Sequence, residues 1–147
     1  MEKMTEGEGE LRKSIVVDAS PTVVFKALTD EKELVQWMPS EGRMDVRVGG
    51  EYEFKYHWAD GKVDGIVRGK ILELIPNKKL SYTWDSQRSD YSGPRGDAKV
   101  TWMLDELPGG KTRVTLVHSG IGKQFREDTE RGWSHYLGQL ANYFKKK

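Results

Sequence analysis

The feature that most constrains the fold is a strict alternation of aromatic with charged or polar residues in the middle of the chain. Residues 51–58 read EYEFKYHW, so every second side chain is a large ring. Because successive side chains of a β-strand point to opposite faces, this pattern predicts a strand with one buried and one solvated face. Similar alternation recurs around Tyr82, Trp102 and Leu116. Turn residues separate these segments, and the chain is therefore predicted to form an antiparallel sheet of six to seven strands.

Two short helices are predicted after a first strand at residues 14–17. Ser20 is a favourable N-cap and Pro21 a favourable first helical residue, so one helix is expected to begin there. Asp30 is followed three residues later by a glutamate, which is the spacing of a capping box. A second short helix is therefore expected to follow Asp30 and to end before Pro39.

The C-terminal segment changes to a helical period. Apolar residues between Trp133 and Phe144 recur every three or four positions, which predicts a long helix that begins near residues 124–128 and ends at Lys145. Because this is the only long helix predicted, it must cover one face of the sheet. The predicted fold is therefore α+β, with a curved antiparallel sheet wrapped around the C-terminal helix.

Length and charge indicate one domain preceded by a tail. Residues 1–10 contain four glutamates and two glycines, so we expect a flexible tail there and a single domain over residues 11–147. A chain of 147 residues is long enough to bury a sizeable core without a metal or a crosslink. The 36% of apolar residues is low, but four Phe, five Trp and six Tyr supply large apolar side chains for that core.

Composition also excludes several classes of function. The chain has no cysteine, which excludes a disulfide scaffold, a zinc-thiolate site and a cysteine nucleophile. The 24 basic residues nearly equal the 23 acidic residues, which argues against nucleic-acid binding. No apolar run approaches the length of a membrane span, and no secretory signal is visible, so a cytoplasmic location is expected.

No motif for catalysis, metal binding or cofactor binding is found. The nucleophile elbow, the zinc-binding H-E-x-x-H pattern, the phosphate-binding loop and the dinucleotide fingerprint are all missing from the sequence. His57 and His135 are expected to face solvent, so no two histidines are expected to converge on a metal. We therefore predict no catalytic residue, no metal and no cofactor.

Several short motifs along the chain together resemble a known family. The motifs are Ser20-Pro21-x-x-Val24-Phe25-x-Ala27-Leu28-Thr29-Asp30, Trp37, Val48-Gly49-Gly50, Gly69 with Glu73, Val100-Thr101-Trp102, His118-Ser119-Gly120, and Gly132-Trp133 with Leu137 and Leu140. With these motifs, the chain resembles the START-like superfamily (SRPBCC, helix-grip proteins), and within it the C-terminal-domain family of Hsp90 ATPase activators. The resemblance extends over roughly residues 11–144.

The resemblance implies a helix-grip fold and a choice of functions. The superfamily includes lipid carriers, polyketide cyclases, hormone receptors and stress proteins, so the fold alone does not select among them. The named branch implies a possible contact with a chaperone of the Hsp90 type.

A candidate ligand site is predicted on the inner face of the sheet and the facing side of the last helix. Tyrosine and tryptophan rings have an apolar body and a polar tip, which suits a flat, mostly apolar ligand with a few hydroxyl or carbonyl groups. The alternative is that these rings only fill the core. The predicted ligand-contacting residues are Trp37, Tyr56, Trp58, Val67, Tyr82, Trp84, Trp102, His118, Trp133, Tyr136 and Leu137.

His118 is the histidine predicted to point inward. It is interpreted either as a hydrogen-bond partner of a ligand carbonyl, or as a proton-transfer group with a pKa near neutral, or as a core histidine bonded to a backbone carbonyl. The polar segment Asp85 to Asp97 is interpreted either as a lid over the cavity mouth or as a plain loop.

The leading functional hypothesis is a monomeric, non-enzymatic protein that binds a lipid or a polyketide-like aromatic molecule. The second hypothesis is a co-chaperone or stress-response protein that contacts an Hsp90-type chaperone. The third is a cyclase- or hydrolase-like enzyme in which His118 and a cavity tyrosine transfer protons.

Overall fold

The computed structural model describes residues 10–39, 41–57, 63–88, 98–121 and 126–145. Eight strands and three helices lie in this part of the chain. Their bounds are β1 Glu10–Val17, α1 Pro21–Thr29, α2 Glu31–Trp37, β2 Glu41–Met44, β3 Glu51–His57, β4 Val63–Ile75, β5 Lys79–Thr83, β6 Asp85–Arg88, β7 Lys99–Leu107, β8 Lys111–Ser119 and α3 Arg126–Lys145.

The strands form one antiparallel sheet in the order β1-β8-β7-β5-β4-β3-β2, and β6 pairs with β4 beside this path. The α+β class, the two short helices after the first strand and the long C-terminal helix are confirmed. The seven strands of the path agree with the predicted six to seven. Two short strands, β2 and β6, have no strand signal of their own in the sequence, because both are polar segments.

The segment predicted as a loop from Asp85 onward begins instead with a strand. β6 takes up Asp85–Arg88 and pairs with the first half of β4. Residues 89–97 lie outside the described residues, as do the predicted tail over residues 1–9 and the predicted ligand contact Trp58. β1 begins at Glu10, the last residue that was assigned to the tail.

Asp30 connects the two short helices. Its backbone N–H donates to the Lys26 carbonyl at the end of α1, and its side-chain Oδ1 accepts from the Lys32 N–H at 2.8 Å at the start of α2. The glutamate of the expected capping box, Glu33, instead accepts from the Tyr143 hydroxyl of α3 at 3.0 Å. One short polar segment thereby ends a helix, starts the next and holds α2 against α3.

β4 is shared by the two halves of the sheet. It pairs with β3 along one edge and, along the other, first with β6 and then with β5. Gly69 lies where the chain passes from β5 to β6, and a Cβ there would collide with the Thr83 carbonyl and hydroxyl oxygens. The Tyr52 hydroxyl donates to the same carbonyl at 2.5 Å. Only a glycine therefore fits at position 69 of β4, beside the point where the chain passes from β5 to β6.

α3 covers the inner face of the sheet with its apolar stripe. Trp133, Leu137, Leu140 and Phe144 are its buried residues, as the helical period predicts. Gly132 would be a candidate for close approach of helix and sheet, since it has no side chain. The structure shows no such role, because no atom lies within 4 Å of the position that a Cβ of Gly132 would occupy.

Candidate ligand-binding site

The predicted ligand-contacting residues lie on five strands and two helices and largely converge on the core. Most of those described are buried, while Trp84 and Tyr136 are partly buried and pack against the core. The buried members are Trp37 on α2, Tyr56 on β3, Val67 on β4, Tyr82 on β5, Trp102 on β7, His118 on β8, and Trp133 and Leu137 on α3.

Three tryptophans form the centre of this cluster. The ring of Trp133 lies 5.3 Å from that of Trp84 and 5.7 Å from that of Trp102, centroid to centroid. The Trp84 ring also stacks on Tyr82 at 6.3 Å with an interplanar angle of 20°. These distances are in the range of favourable aromatic pairs, so the rings hold one another in place across the gap between sheet and helix.

The hydroxyl groups of Tyr82 and Tyr52 are neutral and make hydrogen bonds inside the fold. The indole N–H of Trp102 donates to the Tyr82 hydroxyl oxygen at 2.9 Å. Burial raises the pKa of Tyr82, and burial together with the neighbouring tyrosines and Asp85 raises the pKa of Tyr52 as well. Neither phenol therefore ionises in the physiological range, which leaves hydrogen bonding as their polar role.

Trp37 is held by the helices rather than by the sheet. Its indole N–H donates to the Ala27 carbonyl of α1 at 2.9 Å, and its ring meets Trp102 edge-on at 5.9 Å. The side chain is 2% exposed. Because its polar tip is satisfied by the backbone of α1, Trp37 has the environment of a structural core residue.

His118 is not bonded as a core histidine tied to a backbone carbonyl would be. Its Nδ1 accepts from the Trp133 indole N–H at 2.9 Å, and not from or to a backbone carbonyl. Burial lowers the pKa of His118 to about 4. The expectation of a pKa near neutral is therefore wrong, because desolvation penalises the charged imidazolium. At physiological pH the ring is neutral.

The open end of the cluster lies at Trp84 and Tyr136. Tyr136 is partly buried, and its ring lies 5.9 Å from the buried Tyr56 and 5.0 Å from His135, which is exposed as predicted. These residues come from β3 and α3, and Trp84 follows the end of β5. The sequence pattern identifies their shared face, but it does not indicate which rings remain open to solvent.

A pocket that the sequence did not predict lies largely on the opposite face of the sheet. Its volume is about 740 Å³. Trp84 belongs both to this pocket and to the predicted site. Glu51 and Glu53, which line it, alternate on β3 with the buried rings of Tyr52 and Phe54, so these two carboxylates point away from α3. The lining is formed by Glu31, Arg43, Met44, Asp45, Glu51, Tyr52, Glu53, Arg68, Gly69, Lys70, Thr83, Trp84 and Asp85.

Glu53 is the centre of the charges in this outer pocket. It accepts from Arg68 at 2.7 Å and from Arg43 at 3.3 Å, and both arginines lie opposite it in the register of the neighbouring strands. The hydrogen bond from Arg68, followed by that from Arg43, lowers the pKa of Glu53. In the sequence, the only sign of this charged pocket is the glutamates that alternate with rings in residues 51–58. The arginines that pair with Glu53 cannot be identified from the sequence, because they are its cross-strand neighbours and the register is not yet known.

Neither a metal-binding cluster nor a membrane-spanning helix is found among the residues that the structure describes. No group of three or more His, Cys, Asp or Glu side chains among them could hold a metal ion. No helix in these ranges is both long enough and apolar enough to span a bilayer.

Comparison with known proteins identifies the family. A family model described as "Activator of Hsp90 ATPase homolog 1-like protein" matches residues 18–145. The chain is 24% identical over 117 residues to the activator of 90 kDa heat shock protein ATPase homolog 1 of Mus musculus, and 23% identical to that of Homo sapiens. Each match covers 80% of the chain but only 31% of the relative, so the chain spans about a third of their length.

Solved structures share the fold over nearly the whole chain. A Chromobacterium violaceum protein is 30% identical with a TM-score of 0.79, and the match covers 92% of this chain and 96% of that one. The Aha1 dimer of Colwellia psychrerythraea is 20% identical with a TM-score of 0.74, covering 92% and 95%. DynU16, from the dynemicin biosynthetic locus, is 19% identical with a TM-score of 0.78, covering 94% and 48%. With its helix-grip fold and a family match from residue 18 to residue 145, the chain belongs to the family of activator of Hsp90 ATPase homolog 1-like proteins, within the START-like (SRPBCC) superfamily.

Proposed function

We propose that the chain binds a small, mostly apolar molecule, a lipid or a polyketide-like aromatic, between the inner face of the sheet and α3. In this proposal it acts as a monomer in the cytoplasm and does no chemistry on its ligand. The observation that carries the proposal is the open end of the aromatic cluster. There the partly buried Trp84 meets Trp133 and the neutral His118 at ring distances of 5.3 and 5.5 Å.

The polar groups at this end support binding rather than packing alone. In a core that is only packed, buried donors find partners within the fold. Trp37 and Trp102 satisfy this rule through Ala27 and Tyr82. Trp84 is only partly buried, and His118 makes its hydrogen bond through Nδ1, so the Trp84 indole N–H and the Nε2–H of His118 are available to a ligand. Two donors with apolar rings around them suit a flat ligand with oxygen acceptors.

The family adds support at the level of the fold. DynU16 shares the fold and comes from a locus for dynemicin biosynthesis, which is consistent with a guest of aromatic, polyketide-like chemistry. At 19% identity this is an analogy between folds, and the function of one protein does not transfer to the other by fold alone.

Native mass spectrometry of the purified protein tests the proposal directly. A co-purified small molecule would give the chemical class of the ligand. The second measurement is a titration of the labelled protein with flavonoid-like and fatty-acid ligands, observed by NMR at the tryptophan indole N–H groups.

The expected result is a saturable shift of the Trp84 and Trp133 signals together. The Trp37 signal is the internal reference, since its N–H is bonded to the Ala27 carbonyl and should move least. Shifts confined to surface residues, or no saturation with any ligand of the panel, would contradict the proposal.

A second candidate function is contact with an Hsp90-type chaperone. It is favoured by the match of 117 residues to the mouse and human activators of 90 kDa heat shock protein ATPase. The test is the ATPase rate of such a chaperone at increasing concentrations of the chain. A saturable rise is expected if the matched part is sufficient for contact, and an unchanged rate together with no binding would exclude this function.

A further inference from the structure

The hydrogen bond between Trp133 and His118 determines where the proton of the imidazole lies. An indole N–H can only donate, so the nitrogen that faces it at 2.9 Å must present a lone pair. That nitrogen is Nδ1 of His118. A neutral imidazole with an acceptor at Nδ1 has its hydrogen on Nε2. His118 is therefore fixed as an acceptor toward Trp133 and as a donor on its other side.

The surroundings of His118 give this donor little to bond to. The side chain is 4% exposed, and its partners in the sheet register are the apolar Leu11 on β1 and Val100 on β7. The rings of Trp84 and Trp133 lie 5.5 and 6.1 Å away. The hydrogen bond that His118 makes uses Nδ1, so the Nε2–H is available to an acceptor that enters beside the two tryptophan rings. A ligand with such an acceptor would gain one hydrogen bond there, and a hydrocarbon would not.

We propose that the Nε2–H of His118 is the polar anchor of the ligand site, and that the site therefore selects planar aromatic molecules with a carbonyl oxygen over hydrocarbons and over carboxylates. This inference rests on the proposed function, because it names the class of ligand for the same site. Trp133 positions the anchor, since its N–H holds the imidazole in the donating tautomer.

Discrimination against carboxylates follows from the charges near this end of β8. Two cations of β1 and α3 are already engaged: Lys13 pairs with Glu130 at 3.5 Å, and Arg126 donates to the Glu10 carbonyl. A second proton on His118 would have to displace the Trp133 N–H from Nδ1. A carboxylate would thus lose its hydration and meet only a neutral donor, which is an unfavourable exchange.

The experiment compares three probes that share one tricyclic ring system: 9-fluorenone, fluorene, and fluorene-9-carboxylate. Affinities are measured by NMR titration with the wild-type chain, with His118→Leu and with the control His135→Leu. The control makes the same change at an exposed histidine of α3. One hydrogen bond predicts that the wild type binds fluorenone about three- to tenfold more tightly than fluorene. The carboxylate should bind no more tightly than fluorene.

The ratio of the ketone to the hydrocarbon affinity decides the inference. A ratio that falls to about one in His118→Leu and persists in His135→Leu supports it. Equal affinities in the wild type, or a ratio that survives in His118→Leu, overturn it while leaving the proposed binding function intact. Saturable binding of none of the probes, with nothing co-purified, counts against the binding function itself and removes the inference with it.

A second measurement covers the case in which His118→Leu does not fold. In wild-type protein with ¹⁵N-labelled histidine, the ring shifts of His118 report the tautomer directly. The expected result is a hydrogen on Nε2, with that signal shifted by fluorenone and not by fluorene. A hydrogen on Nδ1, or an Nε2 signal that both probes leave unchanged, overturns the inference.

Discussion

The two ends of the aromatic core differ in how their polar groups are used. At one end Trp37, the last residue of α2, is 2% exposed and donates its N–H to the Ala27 carbonyl of α1. At the other end Trp84 is partly buried, stacks on Tyr82 and contacts the tilted ring of Trp133. Both residues are tryptophans that were predicted to contact a ligand. Their environments assign the first to the packing of the core and the second to the candidate site.

This difference shows what the alternation of rings in a sequence does and does not indicate. Alternation predicts which rings face inward, since it reports the strand period. It does not report which inward rings have a partner for their polar tip, because that partner can be a backbone carbonyl far away in sequence. The closed end consists of Trp37 and Ala27, whereas the open end consists of Trp84, which follows β5, and of residues of β8 and α3.

The largest expected effect is at the closed end. Trp37→Ala should lower the free energy of unfolding by about 3–5 kcal/mol, because it removes a packed ring that the core cannot refill. Urea titration followed by circular dichroism measures the change. Trp37→Phe is the matched control, which keeps a ring and loses the hydrogen bond to Ala27, with an expected cost of about 1–2 kcal/mol. A loss under 1 kcal/mol for Trp37→Ala would show that this end is open as well.

The second effect is a dependence of stability on pH that comes from His118. Its pKa is lowered by burial from 6.5 to about 4, so the unfolded chain binds its proton first as the pH falls. The contribution of the neutral His118 ring to the free energy of unfolding is fully present above pH 6.5. It is lost as the pH falls from 6.5 to about 4, by up to about 3 kcal/mol.

The comparison with His118→Gln isolates this histidine from the carboxyl groups that also titrate in acid. Glutamine can accept from Trp133 but does not titrate. The advantage of the wild type over the variant should therefore shrink from pH 7 to pH 4.5 in urea titrations. A difference that stays constant over this range would show that His118 is not desolvated in the folded state.

The third effect is at the open end, where stability and binding should separate. Trp84→Ala should cost about 1–2 kcal/mol of stability, because the ring is only partly buried. Its stacking contribution to a bound aromatic ligand is lost, so the affinity for 9-fluorenone should fall at least about fivefold. Trp84→Phe should restore most of the binding. If Trp84→Ala costs as much stability as Trp37→Ala and leaves binding unchanged, the two ends are alike and the comparison fails.

Much of the fold was predictable because its signals are local. The rings of β3 alternate with charges, Ser20 and Asp30 cap helices, and the stripe of α3 repeats with the helical period. β2 and β6 were missed because EGRM and DSQR have little strand propensity and are held by their pairing with β3 and β4. A glycine-permitted bend in β4 could be predicted at Gly65 or Gly69, but the close contact of Gly69 with Thr83 could not, since it depends on a crossing of strands that local sequence does not reveal.

The candidate site was predictable only in part, for the same reason. The sequence indicates that His118 and Trp133 face the core, but their hydrogen bond joins β8 to α3 and has no pattern in the sequence. The outer pocket was missed because its charges come from separate segments, and only the register brings Arg43 and Arg68 to Glu53.

The smallest expected effect is at Glu53 on the outer face of the sheet, and this effect serves as a reference for those at the two ends of the core. Arg43 and Arg68 have side chains that are 76% and 51% exposed, so water and salt screen their attraction to Glu53. Glu53→Gln should therefore cost about 0.5–1 kcal/mol, and 1 M NaCl should remove most of the difference. Because the pKa of Glu53 is lowered in the folded chain, its contribution is present above the ordinary carboxyl range and is lost as the pH falls through the lowered value.

The affinity of the Glu53→Gln variant for 9-fluorenone should not change, since the probe is expected on the other face of the sheet. A variant that binds it more weakly at unchanged stability would place the ligand in the outer pocket, and the open end at Trp84 would then be the wall of that pocket rather than the entrance to the core.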